Sequence, residues 1–539
     1  MRRQGLVAAA AVIAVITLAA RLVGFGRWLV YSHSVSAQCV GNAYSAANQI
    51  PNVLFEVVAG GALAGAVIPL LAGPLARAGK GDDAAGEVAD RVASALLTWA
   101  VLVLTPVAVL VALAAGPLAR LLVAENTCPG AQALAARMLL VFAPQIVLYG
   151  VGVVLTGILQ AHHRFVAPAL APLLSSLTVI AAYLAFAATV GGARDDALAL
   201  PGPAEAWLAW GTTVGVAVMT VPLLLPVWRT GIRLRPTLRF PEGVARRAAA
   251  LAGAGVAALL AQQASVVAVL LLSRHSRDAS TLNVFQYTQA VYLLPYAVLV
   301  VPVATSAFPR LAARAASADH DGFARTASVT TRAVLAVAAV GCAGLVAVAV
   351  PVAAFFAGLD EGDVSAMGPA LVAMAPGLVG FALIAHVGRA LYALERGRQA
   401  AAAIVAGWTV VVLAMIGFAL WARGVAVAVA LAAGTSVGMG VAGLLLLAAL
   451  RRAAGPGALA GVPRTVLASG FAALPAGALG WWVGGWAVTE FGTGRVGALL
   501  AGIGAGLVCV VCALAVLAVL DRGTLRAALA KRGEGLDSE

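Results

Sequence analysis

Apolar residues in this chain gather into long runs, separated by short stretches that hold most of its Lys, Arg, Asp and Glu. A run of about 20 apolar residues can cross the hydrocarbon core of a bilayer as a helix. About fourteen such spans are legible. The first six are Leu6 to Tyr31, Ala43 to Leu75, Val92 to Ala115, Ala135 to Gln160, Val166 to Val190 and Ala206 to Val227. Six more run from Ala248 to Leu272, Leu282 to Phe308, Ala333 to Phe356, Met367 to Tyr392, Ala400 to Ala422 and Val425 to Leu450. Thr465 to Val488 and Val496 to Leu520 complete the series. The pattern predicts an all-α polytopic membrane protein, and no hydrophilic stretch exceeds about thirty residues, too short for an attached soluble domain.

The second span departs from the pattern. Asn48, Asn52 and Glu56 recur at i, i+4 and i+8, so a helix would carry them on one face. Each is costly in hydrocarbon, which points that face at protein or at a water-filled cavity and predicts the wall of a transport pathway. Pro51 and Pro69 are expected to bracket this helix, and Gly60, Gly61 and Gly65 to loosen it. The competing account is a small-residue packing face with a buried polar network.

Composition sharpens the class. Of 539 residues, 62% are hydrophobic and 11% charged, and the mean hydropathy is +0.99. The net charge of +13 does not indicate nucleic acid, because the arginines sit in short loops rather than on a soluble basic face with stacking aromatics. With the N-terminus cytoplasmic, loops and tails on that side hold roughly 26 Lys and Arg against roughly 7 opposite. The segment from Arg229 to Arg247 is strongly basic, while the outer loop at Asp360, Glu361 and Asp363 is acidic. A multi-pass protein of the cytoplasmic membrane with both termini cytoplasmic is therefore predicted. The start MRRQGLVAAAAVIAVITLAA imitates a signal peptide, but apolar character continues to Val30, so a retained first span is expected.

An internal repeat is faint. Pro51 and Pro69 of the second span correspond to Pro295 and Pro309 of the eighth, about 240 residues apart, each pair followed by a basic loop. Parallel repeats of this kind predict two six-helix lobes, residues 1–228 and 229–452. Residues 453–520 would add two helices, and residues 521–539 would form a short charged cytoplasmic tail.

Arg21 and Arg27 lie within the first span, where one arginine near the centre costs about 2.5–3.5 kcal/mol on insertion scales. Six residues apart, they sit about 120° apart around a helix, and Gly24 and Gly26 between them are expected to let it bend. An anionic ligand would justify both, since a guanidinium matches phosphate oxygens bidentately. Otherwise Arg27 snorkels to the outer interface and Arg21 pairs with Glu56. Asn283, Gln286, Gln289 and Tyr292 of the eighth span and Gln262 and Gln263 of the seventh add amides and a phenol, suited to sugar hydroxyls or peptide groups, or to helix-to-helix hydrogen bonds.

No catalytic constellation is present. The six histidines show no metal spacing, and no Walker-type phosphate loop occurs, so transport would draw on a gradient, the membrane potential or the cargo's own concentration difference. Five cysteines, Cys39, Cys128, Cys342, Cys509 and Cys512, support no disulfide framework, and the C-x-x-C of the last span is expected to pack as small apolar residues.

ARLVGFGR followed by NQIPNVLFEVVAGGALAGAVIPLLAG resembles the opening of the MurJ (MviN) lipid II flippases, in the multidrug/oligosaccharidyl-lipid/polysaccharide exporter superfamily. GILQAHHRFVAPALAP, FQYTQAVYLLPYAVLVVPVATSAFPRL and RALYALERGR resemble later segments of the same family, so the similarity runs through essentially the whole chain. The resemblance implies two lobes that alternate access to a central cavity. Its cargo would be undecaprenyl-diphosphate-linked disaccharide pentapeptide, carried to the outer leaflet for peptidoglycan synthesis. Arg21 and Arg27 match the family's first-helix arginines and would grip the diphosphate. Asn48, Asn52, Glu56, Gln286 and Gln289 would line the cavity as substrate-binding residues. No catalytic residue, metal or cofactor is implied; the partners would be the lipid-linked substrate, membrane lipids and cell-wall synthesis or division proteins.

The chain departs from the family at Asn42, where many members carry an acid, and at Phe55 and Glu56, where they carry arginines. It departs also at Gly60, Gln289 and Ala290, so two arginines must do what a cluster does elsewhere. Alternatives are a flippase for another polyprenyl-diphosphate glycan, a transport-inactive paralogue that scaffolds envelope synthesis, and a cation-coupled drug exporter. The exporter would need membrane carboxylates, of which Glu56 is the only one clearly inside a span.

Overall fold

The structure is a computed structural model that describes residues 3–57, 64–126, 128–241, 244–421, 426–492 and 494–520. Among them the regular structure is helical throughout. The first helices in order are α1 (Arg3–Ser34), α2 (Cys39–Val57), α3 (Ala64–Ala78), α4 (Asp83–Leu113), α5 (Ala115–Leu122), α6 (Ala131–Ala161) and α7 (Val166–Thr189). Then come α8 (Gly202–Thr220), α9 (Leu224–Trp228), α10 (Val244–Ser273), α11 (Thr281–Pro295), α12 (Val301–Ala316), α13 (His320–Ala347) and α14 (Ala349–Ala357). The remainder are α15 (Met367–Met374), α16 (Gly377–Ala393), α17 (Gly397–Trp421), α18 (Val427–Ala454), α19 (Val462–Phe491) and α20 (Arg495–Leu520).

Among the described residues, 12 helical segments are long and apolar enough to cross a membrane, and α15 with α16, bent by 45°, makes a further broken span. The remaining sequence span, the second, consists of α2 and the shorter apolar α3. Residues 58–63, between them, fall outside the described residues, and the expectation that Pro51 and Pro69 bracket the helix is corrected. Pro51 lies inside α2, and Pro69 and Pro74 lie inside α3. Gly60 and Gly61 fall outside the described residues, as does the expected tail of residues 521–539. The eighth span is interrupted: α11 ends at Pro295, and a π-helical turn over Tyr296–Val300 leads into α12. Proline lacks the N–H of the regular ladder, and a wider turn is one way a helix absorbs that loss. In the first span α1 runs as one helix through Gly24 and Gly26.

The chain forms two compact units. The first comprises residues 1–266, 277–283 and 360–362; the second comprises 267–276, 284–359 and 363–539. In the first unit α6 is the central element, packed on α2, α3, α4, α5 and α8. Its core gathers Val67, Leu71, Val92, Leu96, Val154, Leu155 and Ile158. In the second unit α13 plays that part, against α12, α16 and α19. Helices α19 and α20 pack on α13 and α14, with Ala343, Ala347, Ala476, Cys509 and Ala513 closing the seam. Cys509 and its neighbour Cys512 thus serve as small apolar residues. Helices α17 and α18 meet where Gly434 and Gly438 face Met415 and Val411, and a Cβ on Gly438 would lie 2.5 Å from the Val411 backbone nitrogen. Small residues four apart are what allow such close backbone approach without a hydrophobic drive from water.

Candidate functional site

In the first unit a polar seam runs along α1 and α2. Arg27 is half-buried on α1, and neither it nor Arg21 forms an ion pair or hydrogen bond among the described residues. Arg21 is exposed, as is Glu56, and the alternative of an Arg21–Glu56 pair is not formed. The charge of Arg27 acts on Tyr44, Tyr149 and Tyr183, on α2, α6 and α7.

These tyrosines are wired together. Tyr44 Oη lies 2.9 Å from Tyr183 Oη and 2.8 Å from Thr212 Oγ1, and Thr212 donates in turn to the Leu208 carbonyl. Tyr31, one helical turn beyond Arg27, donates to the Gly41 carbonyl at 2.8 Å and shares a hydrogen bond with Ser45. Ser45 donates to Asn283 Oδ1 at 2.5 Å. Farther along α2, Tyr149 donates to Asn52 Oδ1 at 3.1 Å while its ring stacks on Phe55 at 4.4 Å. Asn48 Oδ1 is buried with no partner among the described residues. An unpaired buried polar atom costs about 1–3 kcal/mol, so such an atom calls for a ligand or a functional reason.

A cavity of about 320 Å³ opens beside this seam, lined among others by Phe55, Tyr149, Thr156, Gln160, Met219 and Thr220. Its walls are mainly apolar, with hydroxyls and one amide. Taken together, the seam offers one uncompensated guanidinium, several phenols able to donate or accept, and two asparagines. That inventory suits an anion carrying hydroxyl or amide groups.

The turn between α1 and α2 is built around a carboxylate. Asp360 accepts from Ser32 Oγ at 2.9 Å, Ser36 Oγ at 2.5 Å, the Ala37 N–H at 2.8 Å and the Gly362 N–H at 2.9 Å. Ser36 takes a positive φ of 72°, which costs about 1–2 kcal/mol for a residue with a side chain. Gly41 is required where it stands, because a Cβ there would collide with the Ser36 carbonyl oxygen. Arg194 pairs with the neighbouring Glu361 at 2.5 Å. Cys39, at the start of α2, forms a disulfide with Cys128 across a Cα–Cα distance of 5.5 Å, correcting the expectation that the cysteines stay unpaired.

The other expected site residues belong to the second unit. Gln286 is buried with Nε2 unpaired among the described residues, and Tyr292 Oη is likewise unpaired. Gln289 is exposed. Thus α1 and α2 bring Arg27, Asn48 and Asn52 to one seam, Arg21 and Glu56 lie outside its hydrogen bonds, and Gln286 and Gln289 form no part of it. The tyrosines and Asp360 were missed as site residues. One signal was available: Tyr44 precedes Asn48, Asn52 and Glu56 at the same four-residue spacing.

A family model described as "Lipid II flippase MurJ" matches residues 31–501. The chain belongs to the MurJ lipid II flippase family. It is 28% identical over 397 residues to a lipid II flippase MurJ of Burkholderia cenocepacia, a match covering 70% of this chain and 72% of that protein. With a probable lipid II flippase MurJ of Rhizobium tropici it shares 27% over 299 residues, 55% of this chain and about half, 53%, of the relative. Among solved structures, a lipid II flippase MurJ in an inward closed conformation superposes with a TM-score of 0.72 at 17% identity, covering 95% of this chain and 99% of the other. An inward-facing multidrug resistance MATE transporter of the MOP superfamily gives 0.63 at 14% identity, covering 82% and 98%. At these identities the structural likeness speaks for the fold, and it extends from the flippase to the wider superfamily.

Proposed function

We infer that this protein is a transporter, not an enzyme, and that it carries lipid II, the lipid-linked peptidoglycan precursor, from the inner to the outer leaflet of the cytoplasmic membrane. The observation that carries this is the family match over residues 31–501. The seam around Arg27 supports the chemistry: a half-buried cation without an acidic partner, beside phenols and amides, suits a diphosphate followed by sugar hydroxyls and peptide groups. Arg27 takes the diphosphate, with Arg21 meeting the lipid-side approach. Asn48 and Asn52, with Glu56, meet the headgroup on the α2 side.

The cargo crosses by alternating access, driven by the membrane potential or an ion gradient without a bound cofactor. The distribution of arginines puts both termini in the cytoplasm. In that orientation the Cys39–Cys128 disulfide faces the oxidising side, where such bonds persist. Depletion of the protein in cells, read by the appearance of lipid II in the outer leaflet, tests this function. Wild type is expected to restore that appearance, and an equally expressed protein carrying Arg21→Ala and Arg27→Ala is expected not to. Unchanged translocation on depletion, with no second flippase in the cell, would overturn the cargo assignment.

A further inference from the structure

Between α9 and α10 the chain runs extended along α4 for about ten residues. Three side chains of α4, one turn apart, hold it. Asp90 accepts from the Arg233 N–H at 3.1 Å, Ser94 accepts from the Arg235 N–H at 3.0 Å, and Thr98 accepts from the Thr237 N–H at 3.1 Å. Ser94 also donates to the Arg233 carbonyl, and Trp99 Nε1 donates to the Leu238 carbonyl at 3.1 Å. The register follows from geometry: four helical residues advance about 6 Å and two extended residues about 6.6 Å. Alternate residues therefore face opposite ways. Ile232, Leu234 and Phe240 pack against the core of the first unit, while Arg233, Arg235 and Arg239 are exposed.

None of these three guanidinia has an ion-pair or hydrogen-bond partner among the described residues, and the carboxylate in the ladder, that of Asp90, is engaged by a backbone N–H. Beside them a groove of about 410 Å³ is lined by Leu97, Thr98, Val101 and Leu102 of α4 and by Leu234, Arg235 and Pro236. From Ser94 to Leu102 the groove extends about 12 Å along the helix. Its walls are apolar and its charged rim is Arg235. Trp99, 41% exposed, and Trp228, 75% exposed, are of the kind that sits at a bilayer interface.

We propose that this ribbon and groove form a binding site for an anionic phospholipid, its phosphate held by Arg235 with Arg233 and Arg239 and one acyl chain laid along Leu97, Val101 and Leu102. Charge complementarity selects the headgroup, and an apolar groove with a cationic rim selects a phosphate that carries a chain. The site is separate from the seam around Arg27, and its leaflet rests on the cytoplasmic orientation inferred above.

Purified protein in detergent, supplied in turn with phosphatidylglycerol, phosphatidylcholine and undecaprenyl diphosphate, tests the site through the lipids retained in native mass spectrometry. Wild type should retain phosphatidylglycerol over phosphatidylcholine. A variant with Arg233→Gln, Arg235→Gln and Arg239→Gln should lose about two orders of magnitude of phosphatidylglycerol retention, roughly five-fold per charge, with undecaprenyl diphosphate retention unchanged. Val101→Trp, which fills the groove and leaves the arginines, should lower phosphatidylglycerol retention with an unshifted melting temperature. Equal phosphatidylglycerol retention by wild type and the triple variant overturns the proposal. So does a triple variant that loses undecaprenyl diphosphate and keeps phosphatidylglycerol. Neither readout involves transport, so the flippase function stands or falls separately.

Discussion

Asp360 offers the sharpest test of how the α1–α2 turn is held. Ser36 Oγ, the Ala37 N–H and the Gly362 N–H meet a single oxygen, Oδ1, while Ser32 meets Oδ2. Ser32, Ser36 and Ala37 are wholly buried, so Asp360→Ala strands groups that water cannot easily reach. Hydrogen bonds to a charged acceptor are worth about 1.5–3 kcal/mol each but do not add, and removing one partner of a buried charged contact costs about 3–5 kcal/mol. With roughly 2–4 °C per kcal/mol for a domain of 150–250 residues, the melting temperature should fall by about 10 °C. Asp360→Asn keeps Oδ1 as an acceptor, and its amide can donate to Ser32, so only the charge is lost, at roughly 1–2 kcal/mol and about 3–5 °C. Thermal unfolding of the purified protein, followed by tryptophan fluorescence, reads both. If Asp360→Ala melts within about 2 °C of wild type, the carboxylate does not organise the turn. If Asp360→Asn melts as low as Asp360→Ala, charge and not acceptor geometry is what matters, and the reasoning from Oδ1 fails.

Arg27→Ala should lower lipid II translocation by about 10- to 150-fold, the worth of one charge-assisted contact, and Arg27→Lys should restore part of it; a transport assay on matched membranes decides. Cys39 and Cys128 should resist maleimide until reduction, and replacing both by serine should cost about 2–4 kcal/mol in unfolding by denaturant. Gly438→Leu should disrupt the α17–α18 pair and sharply reduce folded protein recovered from membranes, because its side chain meets the Val411 backbone. Asp319 caps α13; the Gly322 N–H, and after it Arg314, hold its carboxyl below the ordinary value of 3.8. A depressed carboxyl stabilises the fold above that value and loses its contribution as pH falls through the folded value, so Asp319→Asn should flatten the acid limb of a stability–pH profile.

The spans were legible because hydropathy is a bulk property of twenty residues and tolerates local detail. The place of the prolines in the second span was not, because Pro51 is accommodated inside α2 and a proline inside a membrane helix does not by itself say where the helix ends. The disulfide escaped because 89 residues separate Cys39 from Cys128 and spacing alone cannot pair them, although both lie in segments assigned to the outer side. Asn48 and Asn52 stood out as polar residues in an apolar span, yet Tyr149, which donates to Asn52, sits on α6, whose rotation against α2 the sequence does not record. The alternation of Ile232, Leu234 and Phe240 with Arg233, Arg235 and Arg239 was visible throughout. In the sequence alone it amounts to loop charge, since a period of two matters only once a surface exists for one face to pack on.

The central claim, that this chain moves lipid II, is tested most directly by reconstituting the purified protein alone in proteoliposomes containing labelled lipid II. The label in the outer leaflet is destroyed by a membrane-impermeant reagent, and the inner pool is followed with time. The account predicts that the inner pool becomes accessible in protein-containing vesicles under an imposed potential or ion gradient, and that Arg27→Ala slows this by about 10- to 150-fold. An inner pool as protected as in empty vesicles, under every gradient applied and with folded protein verified, would contradict it.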